Sequence, residues 1–140
     1  MAIRLLDEDQ DIARCFDVMR ELRPRLASAE ELVRSMAMMR AQGAELATLE
    51  HDGEITTLAC FRIQIMLVSG MTMYVDDLVT ADCFRSRGHG KEMLTWLMNY
   101  ARERGCATFS LDSGTFRQEA HAFYFREGLR ITSFHFAREL

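Results

Sequence analysis

The chain has 140 residues, of which 49% are hydrophobic and 27% are charged, and it carries a formal net charge of −4. This size and balance predict one soluble domain over residues 1–140 with a real core, and the acidic charge argues against nucleic acid as the main partner. No apolar run approaches the length of a membrane span and the N-terminus has no signal-peptide core, so we expect no membrane association and a cytoplasmic location.

Cysteine and histidine spacing matches neither a disulfide framework nor a metal site. The cysteines lie far apart and are expected to be reduced, buried thiols. The histidines also lack metal-ligand spacing, so no metal is expected. The cysteines are Cys15, Cys60, Cys83 and Cys106, and the histidines are His51, His89, His121 and His135.

The N-terminal part predicts a strand followed by two helices. Residues 3–6 form the strand, and the first helix should stop before Pro24, because a residue that precedes proline disfavours helical geometry. Ser28 and Glu31 stand three apart, as in a capping box, and begin the second helix. Gly43 is a good stop for that helix.

Three strands joined by tight turns come next. Residues 45–51 and 54–68 are the first two strands, and Asp52-Gly53 between them is typical of a hairpin turn. Ser69-Gly70 turns the chain again into a third strand over residues 71–80.

The rest of the chain alternates helices and strands. We predict a helix over 91–104, a strand over 107–112, a helix over 116–127 and a last strand over 131–136. The fold class is therefore α/β, with a mixed, mostly antiparallel sheet, helices on both faces and the order β-α-α-β-β-β-α-β-α-β. An exposed final strand would offer an edge to a second copy of the chain, so a homodimer is one expected assembly.

A glycine-containing loop stands before the helix at 91. Gly88 and Gly90 allow a sharp turn and the close approach of a ligand, and the helix N-terminus offers free N–H groups and the positive end of its dipole. Arg85, Arg87 and Lys91 add positive charge. Together these features favour a phosphate or pyrophosphate site. The alternative is a loop that merely starts a helix.

Two widespread phosphate-binding motifs do not match this loop. A Walker A loop needs Ser or Thr after its lysine, where this chain has Glu92. A Rossmann fingerprint needs a third glycine where this chain has Met93.

Two other motifs in register carry a more specific signal. They are Arg85-x-x-Gly88-x-Gly90 and Ala120-x-x-x-Tyr124-x-x-x-Gly128. They resemble the coenzyme A-binding motifs of the GCN5-related N-acetyltransferase (GNAT) family. The resemblance covers roughly residues 70–135 well, and the first half only in its order of elements.

The resemblance implies a single-domain GNAT-like fold and acetyl-CoA as co-substrate. Main-chain amides near residues 78–80 would hold the pantetheine arm, and those of the glycine loop would hold the pyrophosphate. Arg117 stands where asparagine is common in the family, which weakens the usual arrangement of the coenzyme arm there. The implied coenzyme-binding residues are Leu78, Val79, Thr80, Arg85, Ser86, Arg87, Gly88, His89, Gly90, Lys91 and Arg117.

By the same resemblance, Tyr124 occupies the position whose hydroxyl faces the coenzyme A sulfur. A phenol titrates near 10, so it keeps its proton at neutral pH and could donate it to a departing thiolate. Phe123 and Phe125 flank it, so the alternative is an aromatic residue of the core.

Asp76 and Asp77 interrupt an otherwise apolar strand. Adjacent side chains on a strand point to opposite faces, so one carboxylate should face a cleft, where it is costly without a partner or a task. Some family members use a carboxylate at this point as the general base, and Asp76 aligns best with it, with Asp77 as the other candidate. The pair could instead stabilise a strand end or a bulge.

The acceptor implied by the resemblance is a primary amine, either a small molecule or a peptide or protein amine. Its site is expected between the two N-terminal helices and the meander, where methionines either pack the core or line an adaptable pocket.

A non-catalytic coenzyme-binding module and a different acyl group are alternatives. His121 is either a further acid or base or a packing residue, and a covalent cysteine route is disfavoured because no cysteine stands beside a matched histidine or acid.

Overall fold

The computed structural model describes residues 2–140, which group into two compact units divided between Ser110 and Leu111. The prediction of one domain over residues 1–140 stays a prediction. The strands are β1 (Ala2–Leu6), β2 (Ala44–His51), β3 (Glu54–Met66), β4 (Gly70–Thr80) and β5 (Thr108–Leu111). The helices are α1 (Asp9–Arg14), α2 (Phe16–Leu22), α3 (Ala29–Ala41), α4 (His89–Glu103) and α5 (Gln118–Arg126), with a short 3₁₀ helix at Asp82–Phe84.

The five strands form one sheet in chain order, and β1 to β4 pair antiparallel. Asp52 and Gly53, with φ of +52° and +78°, connect β2 to β3. Positive φ at both central residues is what the type I′ turn of a two-residue hairpin requires. The predicted meander and its first turn are therefore confirmed.

Helices cover both faces of the sheet, as predicted. On one face, α1, α2 and α3 contribute to a buried cluster with β2 and β3. On the other face, α4 packs on β3, where the Phe61 ring meets Tyr100 edge-on at a centroid distance of 5.6 Å. The first cluster includes Ile12, Val18, Met19, Leu32, Met36, Leu46, Leu58 and Cys60.

The single helix predicted before Pro24 is wrong in one respect, because it is divided at Cys15. The Cys15 N–H donates to the Ile12 carbonyl at 3.0 Å, which closes a tighter turn than an α-helix makes. A second helix then continues to Leu22 and ends before Pro24, where the sequence placed the stop.

The predicted cap at Ser28 is present. Ser28 Oγ accepts from the Glu31 N–H at 3.1 Å, while the Glu31 carboxylate accepts from the Ala27 N–H at 2.8 Å. The return bond therefore reaches one residue further back than in a reciprocal capping box.

The final strand predicted over residues 131–136 is wrong, because these residues form no strand. Alternating apolar residues make a strand only where a neighbouring strand supplies a ladder and a core covers one face. Here Ile131, Phe134 and Phe136 are 67%, 82% and 93% exposed. The edge on which the homodimer expectation rested is therefore not formed, and the homodimer stays a prediction.

Candidate active site

The loop between β4 and α4 has the geometry of an anion site. Gly88 caps α4 in the left-handed region at φ +86°, and a Cβ built there would meet no atom within 4 Å. The first main-chain bond of the helix runs from the Glu92 N–H to the Gly88 carbonyl at 3.0 Å. The amides of residues 89–91 precede that bond, so they are the ones left for a ligand. The helix begins two residues earlier than predicted and includes Gly90 in its first turn.

The basic side chains of the loop have different partners. Arg85 Nη1 lies 2.8 Å from Asp82 Oδ1, and Arg85 Nε donates to the Thr80 carbonyl at 3.3 Å, so this residue ties the loop to the end of β4. The Arg87 guanidinium lies 5.6 Å from the centre of the Phe84 ring. Ser86 between them is exposed, with φ of +63°.

Lys91 is exposed and has no ion pair with any residue between 2 and 140, so its charge is available to an anion.

The His89 side chain is turned into the protein, in contrast to its neighbours. It is 7% exposed, and its ring centre lies 6.0 Å from that of His51 and 6.1 Å from that of Phe84. Its Nδ1 has no hydrogen-bond partner in the described part of the chain. Of the predicted contacts of His89, only the main-chain amide is therefore offered to a ligand.

Residues 78–80 form the C-terminal end of β4, and one edge of this segment is not paired with β5. On one side they pair with residues 57–59 of β3. On the other side β5 adjoins only the start of β4, where the Thr72 and Thr108 hydroxyls lie 2.6 Å apart. Because β5 has four residues at about 3.3 Å each, it cannot reach Leu78. The predicted pantetheine-binding segment therefore has main-chain groups that β5 does not pair.

The two candidate bases lie at a β-bulge that the alternating sequence pattern did not show. Cys60 of β3 stands opposite Asp77, whereas the next residue, Phe61, stands opposite Val75. Asp76 is thus an extra residue without a ladder partner. A bulge bends the strand and redirects side chains, so the predicted strict alternation of the two carboxylates does not hold here.

Each carboxylate is held by an arginine that the sequence reasoning missed. Arg62 of β3 makes a bidentate pair with Asp76, with Nε–Oδ1 and Nη2–Oδ2 distances of 3.1 and 2.6 Å. This hydrogen bonding raises the pKa of Arg62. Arg23 Nε donates to Asp77 Oδ1 at 2.6 Å, and Arg23 Nη2 donates to the Asp76 carbonyl at 3.1 Å. A polar residue within a buried strand was the available signal for Arg62, and nothing local marked Arg23.

Beside Asp77 is a cavity of about 280 Å³ between α2, α3 and β4. It lies where the sequence placed the acceptor, between the N-terminal helices and the meander. Its apolar lining is Met19, Leu26, Leu32, Met36 and Met39, and its polar lining is Arg23, Arg25, Glu31, Ser35 and Asp77.

In the unit formed by residues 111–140, Tyr124 lies on α5 and is buried, with its ring centre 5.5 Å from that of Phe123. Burial raises the pKa of Tyr124, and the charge and hydrogen bond of Arg117 partly offset this. The phenol therefore holds its proton at neutral pH. Arg117, predicted to contact the coenzyme arm, interacts with the Tyr124 hydroxyl within this unit.

His121 has a structural contact in the same unit. Its Nε2 lies 2.8 Å from the Gly114 carbonyl, which connects α5 to the loop before it. This contact favours the packing alternative over an acid or base role.

The cysteines are free, and their burial varies. Cys15 and Cys60 are buried, but Cys83 is exposed, so the expectation of buried thiols is wrong for Cys83. Burial raises the pKa of Cys15 to about 12 and also raises the pKa of Cys60, so neither thiol is an available nucleophile at neutral pH.

Residues 2–140 provide neither a metal-binding cluster nor a membrane-spanning helix. No three side chains among histidines, cysteines and acids stand close enough to hold a metal ion. None of the helices formed by these residues is long and apolar enough to cross a bilayer.

Comparison with known proteins assigns the fold and the motifs to a family. A family model described as the acetyltransferase (GNAT) family matches residues 10–128. YhdJ of Bacillus subtilis, described as an uncharacterized N-acetyltransferase, is 30% identical over 137 residues, which are 97% of this chain and 96% of YhdJ. An aminoalkylphosphonate N-acetyltransferase of Salmonella typhimurium is 32% identical over 90 residues, which are 64% of this chain and 58% of that enzyme.

A solved structure of the aminoglycoside N-acetyltransferase AAC(6')-Iy in complex with CoA is similar in fold. Its TM-score is 0.84 at 17% identity, and the match covers 99% of this chain and 93% of the other. Together with the family match over most of the chain, these comparisons show that the protein belongs to the GNAT family of acetyltransferases and is an N-acetyltransferase.

Proposed function

We propose that the protein transfers an acetyl group from acetyl-CoA directly to a primary amine held in the cavity beside Asp77. The observation that carries this proposal is the arrangement along β4, which has the cavity at Asp77, an open edge at residues 78–80 and the anion-binding loop just beyond. A coenzyme lying along that edge would bring its thioester close to an amine in the cavity. Proximity of two bound reactants supplies much of the rate enhancement in such a transfer.

The residues present fit the coenzyme. The amides of residues 89–91 and the Lys91 ammonium would hold the pyrophosphate, since both favour negative charge. Main-chain groups of residues 78–80 would hold the pantetheine arm. Arg85 would act by fixing the loop to Thr80 and not only by binding the pyrophosphate.

We assign the general base to Asp77 rather than to Asp76. Both oxygens of Asp76 are bound by Arg62, and this pair braces the bulge. Asp77 lines the cavity and uses only Oδ1 for Arg23, which leaves Oδ2 for a substrate ammonium. Asp77 would first take one proton from the ammonium, which frees the lone pair of the nitrogen. The neutral amine would then attack the thioester carbonyl, where the C–N bond forms and the C–S bond breaks, and the second proton that the nitrogen loses balances the one taken up by the departing thiolate.

Tyr124 is our candidate for the general acid. It would donate its phenolic proton to the departing thiolate, and its raised pKa keeps that proton available at neutral pH. The support for this role is the family motif and this protonation state.

The acceptor is proposed to be a small molecule rather than a protein amine. A cavity of about 280 Å³ lies just below the usual range of about 300–1,000 Å³ for small-molecule sites, so it suits a small acceptor. Two of the similar proteins are named for small amine substrates, an aminoalkylphosphonate and an aminoglycoside.

The test is release of free CoA from acetyl-CoA in the presence of single primary amines. The wild type should turn over at least one small amine, and Asp77→Asn, which keeps the size of the side chain, should lower kcat by about 100-fold, within the range for general-base removal. Asp17→Asn, at an exposed acid on α2 outside the cavity, is the matched control and should change kcat little. Coenzyme binding without turnover of any amine would support a non-catalytic module instead.

A further inference from the structure

We propose that the acceptor amine also carries an oxyanion group, a carboxylate or a phosphonate, which is bound by Arg25 together with Arg23 at the cavity beside Asp77. This inference rests on the proposed function, because it names the class of acceptor for the same reaction. It is carried by the turn between α2 and α3, by the unused donors of two guanidinium groups and by the charge balance of the cavity.

Both arginines stand on the turn between α2 and α3. Pro24 lies between them, and the Leu26 N–H donates to the Arg23 carbonyl at 3.1 Å, which closes the turn. Proline fixes its own φ and so reduces the conformations open to the turn. Arg23 and Arg25 both line the cavity. The turn therefore brings two guanidinium groups to the same cavity.

Both arginines have N–H donors that no residue between 2 and 140 accepts from. Arg23 Nε donates to the Asp77 carboxylate and Arg23 Nη2 donates to the Asp76 carbonyl. Arg23 Nη1 has no acceptor among residues 2–140. Arg25 is exposed and has neither a hydrogen bond nor an ion pair within that described range. A guanidinium presents a planar fork of donors that matches carboxylate and phosphonate oxygens.

The acidic groups of the cavity already have partners. Asp77 is bound by Arg23, and Glu31 accepts from the Ala27 N–H at the start of α3. Two positive and two negative side chains line the cavity; Arg23 and Asp77 form an ion pair, Glu31 is bonded to a main-chain N–H, and Arg25 has no bonded partner among residues 2–140. A polycationic amine would be repelled by Arg25. An amine with an oxyanion would instead place its ammonium near Asp77 and its anion on Arg25.

The apolar wall suits a short alkyl spacer between those two ends. Met19 and Met36 line the cavity and are almost wholly buried. Methionine adapts its shape to a flexible chain, so the wall would accept a few methylene groups without polar contacts.

The experiment compares amines that share a three-carbon chain and differ in the group at its far end. The probes are 3-aminopropylphosphonate, 4-aminobutyrate, propylamine and 1,3-diaminopropane, each assayed for kcat/KM by CoA release. At least one oxyanion amine should exceed propylamine by about tenfold, which corresponds to about 1.4 kcal/mol and is near the lower end for charged hydrogen bonds because Arg25 is exposed. The first two probes distinguish a phosphonate from a carboxylate. Diaminopropane should be the poorest substrate.

Variants then locate the preference. Arg25→Ala should reduce the ratio of oxyanion amine to propylamine to below about threefold, and Arg25→Lys should retain part of it, because lysine keeps the charge without the fork. Arg34→Ala removes the same charge from an exposed position on α3 outside the cavity, and it should leave the ratio unchanged.

The outcomes separate this inference from the reaction itself. If the wild type acetylates propylamine or diaminopropane as well as the oxyanion amines, or if Arg25→Ala keeps the tenfold ratio, the inference is wrong while the proposed transfer stands. If no amine is acetylated although acetyl-CoA binds, both are wrong.

Discussion

Substitution of Gly88 by valine should abolish tight coenzyme binding. Gly88 has φ of +86°, a conformation that costs a residue with a Cβ about 1–2 kcal/mol and a β-branched residue more. No atom lies within 4 Å of the added Cβ, so this cost comes from the backbone and not from crowding. The loop has two ways to respond. It can keep its shape, with the valine methyl groups over the amides, or it can change φ and turn those amides away.

Either response removes charge-assisted hydrogen bonds to the pyrophosphate. Each such bond contributes about 1.5–3 kcal/mol, so the loss of two should raise the Kd for acetyl-CoA by at least about 100-fold. Isothermal titration calorimetry with acetyl-CoA measures this directly, and the melting temperature reports the stability cost separately.

Gly43→Val is the matched control for this experiment. Gly43 follows α3 with φ of +92° and also has open space around a built Cβ, so the substitution imposes the same kind of backbone strain away from the loop. The control should lose stability and keep its affinity. A Kd for Gly88→Val within threefold of the wild-type value would refute the assignment of the loop amides to the pyrophosphate. Equal loss of affinity in both variants would attribute the effect to unfolding.

Four further predictions concern the acid, its neighbouring arginine, the bulge and a helix cap. Tyr124→Phe should lower kcat by about 100-fold with little change in the KM for acetyl-CoA. Because Arg117 lowers the pKa of Tyr124, Arg117→Ala should shift the alkaline limb of the kcat profile to higher pH, and a shift to lower pH would contradict this. A double-mutant cycle in urea with Arg62→Met and Asp76→Asn should give a coupling of about 1–3 kcal/mol, and additive effects would show that the pair does not brace the bulge. Ser28→Ala should cost about 1 kcal/mol of the free energy of unfolding, and no measurable change would mean that the cap is replaced by water.

The geometry of the glycine loop before α4 could be predicted from sequence because its determinants are local. Glycine is the residue type suited to the positive φ at position 88, and the helix that follows supplies its amides whatever surrounds it. The same holds for the Asp52-Gly53 turn and for the cap at Ser28. In each case the residue type and the backbone conformation or hydrogen bond that it produces lie within the same few residues.

The surroundings of Asp76 and Asp77 could not be predicted in this way. Arg23 meets Asp77 from 54 positions away, and Arg62 meets Asp76 across the β3–β4 ladder. The bulge at Asp76 depends on which residue of β3 stands opposite, and that register is a property of two strands together.

The sequence by itself determined the three-stranded meander, its first turn, the cap at Ser28 and the glycine loop before α4. Only the tertiary structure decided that Asp76 is held by Arg62, that Asp77 faces a cavity and that residues 131–136 form no strand. The physical reason is that φ, capping and helix ends are set within a few residues, whereas a charge partner, a ladder or an apolar wall is supplied by another segment of the chain.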